Sequence, residues 1–68
     1  MNERLIGFVE WYDRATGRGS IIPLGSTIPL RVNRADIEGD CKSLSAEQQV
    51  TFVIELGPTG FEARQVRP

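Results

Sequence analysis

The sequence predicts an all-β fold: a five-stranded antiparallel barrel with Greek-key connections, formed by residues 1–68 as one domain. Three observations carry this reading. Turn residues recur at short intervals: Gly17 and Gly19, Pro23 and Gly25, Gly39-Asp40, and Gly57-Pro58-Thr59-Gly60. The runs between them are rich in Ile, Val, Phe and Trp, and two of them alternate with a period of two. The segment between the third and fourth runs shows no sustained helical pattern, which suits a closed barrel whose strands leave no sticky edge.

The first strand is read over Leu5 to Tyr12 and the second over Gly17 to Pro23, with Ile21-Ile22 at its centre. In the third, Thr27 to Asn33, Ile28, Leu30 and Val32 alternate with Pro29 and Arg31, predicting one buried face. Pro29 has no N–H to give a ladder, so an edge or bulge is expected there. The fourth runs from Gln49 to Leu56 with Val50, Phe52 and Ile54 on one face, and the fifth from Glu62 to Arg67 with Ala63 and Val66 inward. Between them, Ala35-Asp36-Ile37 suits a single 3₁₀ turn, and Ser45 begins a helix-like start that the strand pattern at Val50 cuts short.

A chain of 68 residues buries only about 60% of its unfolded surface, so stability is marginal. Cys41 is the only cysteine and histidine is absent, so neither a disulfide framework nor a Cys/His zinc pattern is available. The apolar core has to suffice. No apolar run approaches the length of a membrane helix, and Met1-Asn2-Glu3-Arg4 leads into no signal-like stretch. A cytoplasmic location without membrane contact is expected. Net charge is −1, which argues against a general nucleic-acid binder. The distribution argues otherwise. Seven of the eight cations are Arg, and from Arg14 to Arg34 there are four Arg and no acid. Arginine binds phosphate with two parallel bonds and stacks on flat rings, as lysine does not. An acidic molecule of this kind still presents a basic face.

The segment Gly7-Phe8-Val9-Glu10-Trp11-Tyr12-Asp13, followed by Gly17, Gly19, Ile21 and Pro23, resembles the opening of bacterial cold-shock proteins, G-x-V-K-W-F-N and K-G-F-G-F-I. Lys42-Ser43-Leu44 is similar to the family's K-S-L loop, and Val50 to Glu55 to its V-x-F-x-I strand. Gly60, Ala63 and Val66 fit its closing G-P-x-A-x-N-V. The resemblance covers nearly the whole chain. It implies an OB-fold barrel of the cold-shock type that binds single-stranded RNA or DNA, as an RNA chaperone or a regulator of transcription or translation.

The departures from that family fall on one face. Its motifs K-G-F-G-F and V-F-V-H-F supply rings on which bases stack. Here they read Thr16-Gly17-Arg18-Gly19-Ser20 and Leu30-Arg31-Val32-Asn33-Arg34. Four Phe positions become Arg18, Ser20, Arg31 and Arg34, the His becomes Asn33, and two lysines become Glu10 and Thr16. Each stacked base is worth about 1–3 kcal/mol, so affinity falls unless the arginines compensate, as stacking guanidinium planes can. Weaker, more salt-sensitive binding is expected.

The resemblance assigns binding to Trp11, Tyr12, Arg18, Arg31, Asn33 and Arg34. Trp11 and Tyr12 would stack, the arginines hold phosphates or lie on bases, and Asn33 bond a base edge. Each has a plainer reading. Trp11 could fill the core, although Val9 suits that better; Tyr12 could cover the barrel; the arginines could form a solvated face bridged to Glu10, Asp13 or Asp36. Phe61 is expected to fold onto the barrel end, Phe8 to extend an apolar surface patch, and Phe52 to lie in the core. Gly17 and Gly19 lack the Lys-Ser/Thr and helix of a phosphate loop. Cys41 has no activating partner in the sequence and reads as inert. The carboxylates sit on turns and exposed positions, and a small barrel is filled by its own side chains, so no enzyme, cofactor or metal is expected. The rival reading is a protein-interaction module that has lost nucleic acid and grips a protein, or a second copy of itself, through the same face. Trp, Tyr and Arg dominate such contacts too. A monomer or weak homodimer is expected.

Overall fold

A computed structural model of the chain describes residues 4–40 and 42–68. It contains β1 (Leu5–Asp13), β2 (Arg18–Pro23), β3 (Leu30–Asn33), a 3₁₀ turn at Arg34–Asp36, β4 (Gln49–Gly57) and β5 (Gly60–Arg67). The strands close into a barrel in the order β1-β2-β3-β5-β4. Every pairing is antiparallel except β3 with β5, where Arg31 lies beside Glu62 in a parallel bridge.

The interior is apolar throughout. Val9, Ile21, Leu30, Val32, Val50, Phe52, Ala63 and Val66 fill it, and Ile37 and Leu44 from the long β3–β4 connection plug one end. Ile37 is held there by a bridge to Val66, and the Glu38 N–H donates to the Val66 carbonyl at 2.7 Å. The expected Ser45 start appears as one tight turn: the Ser45 N–H donates to the Gln48 side chain and the Gln48 N–H to the Ser45 carbonyl. Cys41 lies outside the described residues.

Two bulges set which side chains face out. Val9 lies opposite Ile21, yet Trp11 lies opposite Ser20, so Glu10 is an extra residue in β1. On the other side of the barrel Thr51 faces Arg67 and Val53 faces Arg64, and Gln65 takes a positive φ of 51° within the extra length of β5. A bulge bends a strand and re-aims its side chains. The Glu10 bulge breaks the alternation that would have sent Trp11 inward with Val9.

The third strand is shorter than the alternation implied. It begins only at Leu30, and Ile28 is 71% exposed instead of buried. Pro29 cannot join the ladder. The chain before it is held in a turn, with Ile28 N–H donating to the Ser26 hydroxyl and Ser26 N–H to the Pro23 carbonyl. Phe61 is also corrected: it is 63% exposed rather than folded onto the barrel. It pairs with Leu56 beside the β4–β5 turn. Leu5, Ile6 and Leu24, also exposed, lie elsewhere: Leu5 and Ile6 pair with Phe52 and Thr51, and Thr51 faces Arg67 at the far end of β5. Exposed apolar side chains thus form two separate patches, one by the β4–β5 turn and one around Leu5, Ile6 and Leu24. No helix among the described residues is long and apolar enough to cross a membrane.

Candidate nucleic-acid interface

Cross-strand register builds the outer face. Trp11 on β1 lies opposite Ser20 on β2, Ser20 opposite Arg31 on β3, Arg31 beside Glu62 on β5, and Glu62 opposite Glu55 on β4. Cross-strand partners share a face of the sheet, so these five residues form one row around the barrel. One step along, Asp13, Arg18 and Asn33 form the next outward row. Between the two runs an inward row, Tyr12, Gly19 and Val32.

This arrangement makes a cleft of about 380 Å³ lined by Trp11, Arg18, Gly19, Arg31, Val32, Asn33 and Glu62. Trp11 is half exposed, with its indole on the surface. Arg18 and Arg31 are exposed. Neither forms an ion pair among the described residues. Two of the three acids that a solvated-face reading would give them are engaged elsewhere, and Glu10 pairs with neither. Asp13 accepts a hydrogen bond from the Ala15 N–H at 2.9 Å, and Asp36 is bound by Arg64 at 2.9 Å.

Tyr12 and Arg34 stand apart from that cleft. They line a smaller neighbouring one, about 190 Å³, with Arg14, Lys42 and Ser43. Tyr12 points inward, packs against the core cluster, and donates its hydroxyl to the Lys42 carbonyl at 3.2 Å. Its ring rests where a side chain at Gly19 would be: a Cβ there would come within 2.8 Å of the Tyr12 ring and 2.7 Å of the Trp11 carbonyl. The Arg34 stem crosses Gly17, whose φ of +72° also favours glycine, and its guanidinium donates to the Arg14 carbonyl. The Arg34 N–H in turn donates to the Gly17 carbonyl at 2.7 Å. The face thus has a stacking half around Trp11 and a cationic half around Arg14, Arg34 and Lys42. Sequence reasoning grouped all six assigned residues together; the geometry divides them four and two.

Glu62 is the residue that sequence reasoning missed. It is 6% exposed, yet it lies on the outer face and lines the cleft beside Trp11 and Arg31. Its carboxylate packs over the bare backbone of Gly57 and pairs with Arg64 at 3.1 Å. Arg64 also binds Asp36 and reaches Glu55 at 4.0 Å. In the sequence Glu62 is simply one acid in a terminal strand. Only the parallel β3–β5 bridge brings it to Arg31. Among the described residues, no cluster of His, Cys, Asp and Glu could hold a metal ion.

A five-strand ring in this order, with an aromatic and basic outer face on β1 to β3, defines an OB-fold barrel of the cold-shock type. No protein-family model matches the chain. Its similarity to curated proteins is direct: 41% identity over 64 residues with Cold shock protein CapA of Pseudomonas fragi, covering 93% of this chain and 100% of that one. Cold shock-like protein CspD of Vibrio cholerae is 36% identical over 63 residues, 91% of this chain and 83% of that one. Cold shock-like protein CspB of Yersinia pestis is 36% identical over 67 residues, 97% and 96% respectively. The chain belongs to the cold shock protein family.

Proposed function

We propose that this protein binds single-stranded nucleic acid weakly, through an arginine-based face in place of the family's ring platform. The observation that carries the reading is Trp11, half exposed beside two arginines that form no ion pair with a described carboxylate. Trp11 stacks one base. Arg18 and Arg31 flank it and hold phosphates or lie flat on neighbouring bases. Asn33 presents an amide to a base edge. Arg34, with Arg14 and Lys42, extends the positive path toward the next phosphate, since one bond to the Arg14 carbonyl leaves most guanidinium donors free. Tyr12 supports this path from beneath, by fixing the Lys42 backbone. The site binds and releases; no residue on it is placed for a covalent step.

The reading is tested by mapping amide chemical shifts during titration with a seven-nucleotide single strand. Perturbations centred on Trp11, Ser20, Arg31 and Asn33 are expected. Perturbations confined to the exposed apolar residues Leu56 and Phe61, or none at all, would favour the protein-interaction reading instead.

A further inference from the structure

Beside the Trp11 cleft lies a second one of different chemistry, about 190 Å³ against 380 Å³, lined by Tyr12, Arg14, Arg34, Lys42 and Ser43. We infer that this smaller cleft takes the terminal phosphate of a single strand, so that the protein distinguishes a phosphorylated strand end from a hydroxyl end; the inference rests on the nucleic-acid reading above. Three cations and no carboxylate line the cleft. None of the three forms an ion pair among the described residues. Like charges gathered in this way repel one another, and an anion between them relieves the repulsion.

The walls are tied together from three parts of the chain. The Arg34 stem crosses Gly17, and its guanidinium donates to the Arg14 carbonyl. The Tyr12 hydroxyl donates to the Lys42 carbonyl at 3.2 Å, and Lys42 holds a left-handed backbone, φ 49°, that few residues other than glycine adopt. The Tyr12 ring is packed on the core, so it is no platform for a base. The small volume and the three cations suit a phosphate group instead. A phosphodiester within a strand carries one negative charge. A phosphate monoester at a strand end carries about −1.5 to −2 at pH 7 and three strong acceptor oxygens. Two guanidinium forks and an ammonium match the second group better than the first.

The test titrates three forms of tetrathymidylate, following Trp11 fluorescence at low salt: hydroxyl at both ends, phosphate at the 5′ end, and phosphate at the 3′ end. A strand lies on the face with one polarity, so only one of its ends reaches the cationic cleft. One phosphorylated strand is expected to bind at least about 3-fold tighter than the hydroxyl strand, a modest gain because exposed charge pairs are screened. Capping that phosphate as its methyl ester, which leaves a single charge, removes most of the gain. Amide shifts that differ between the phosphorylated and hydroxyl strands fall on Arg14, Arg34, Lys42 and Ser43. In Lys42→Met the ratio of the two affinities drops below about 2-fold, whatever becomes of each affinity separately. No gain, a gain shared equally by both ends, or a gain that survives the methyl cap overturns the inference and leaves the nucleic-acid reading standing. So do shift differences confined to the Trp11 cleft, a result that needs no variant to fold. Failure of every strand to bind overturns both.

Discussion

Trp11 stands directly opposite Ser20, although two residues earlier Val9 stands opposite Ile21. The register has slipped by one because Glu10 is extra in β1. That slip turns the indole outward and the Tyr12 ring inward against Gly19. Backbone geometry thus keeps Trp11, the residue proposed to stack a base, on the outer face opposite Ser20.

That pairing makes Ser20 the place to rebuild a platform. Ser20→Phe would set a ring beside Trp11 on the same face. It is expected to raise affinity for a single strand by about 1–3 kcal/mol, the worth of one stacked base. Calorimetric titration checks this; unchanged affinity would show that a ring at position 20 stacks no base.

The arginines are expected to act through phosphate. Each phosphate contact to a single strand contributes about −0.7 to the slope of log K against log salt. Arg31→Ala and Arg18→Ala should each lower affinity and make that slope shallower by about 0.7. Arg67→Ala should leave the slope unchanged, because Arg67 is paired with Glu38 at 2.8 Å, away from the cleft.

Gly19 is expected to resist substitution. A Cβ there meets the Trp11 carbonyl at 2.7 Å and the Tyr12 ring at 2.8 Å. Neither can retreat freely, since one is strand backbone and the other is packed on the core. Gly19→Ala should destabilise by about 1–3 kcal/mol, as overpacking does. In a domain of this size that is a fall of more than about 4 °C in melting temperature.

Two ion pairs of similar length should differ in worth. Arg64 holds the buried Glu62 and the mostly buried Asp36, whereas Arg67 and Glu38 are both about half exposed. Removing Arg64 leaves a buried carboxylate without its partner. Arg64→Ala is expected to cost at least about 2 kcal/mol. Arg67→Ala should change stability by less than about 1 kcal/mol. Urea denaturation of the two variants decides the order.

Much of the fold was legible because the barrel obeys local rules. Alternation at Val50 and Phe52 placed β4, although Val53 is buried and Ile54 exposed beyond it, and the Gly57–Gly60 turn placed β5. The alternation failed where a neighbour overruled it. Ile28 has the period of a buried residue, but Pro29 stops the ladder first. Period two also sends Trp11 inward, and a bulge at an unremarkable glutamate sends it out. Of the candidate site, the exposed Trp11 and the arginines of β2 and β3 could be read from motif positions. Glu62 could not, because its place beside Arg31 depends on a contact between strands about thirty residues apart in sequence.

The central claim is that Trp11 and its flanking arginines bind single strands. It is tested most directly by Trp11 fluorescence during oligonucleotide titration, at low and near-physiological salt. Trp11 is the only tryptophan, so the signal reports this face alone. The account predicts saturable quenching at low salt that weakens, without vanishing, as salt rises. An unchanged Trp11 signal at low salt, up to high oligonucleotide concentration, would contradict it.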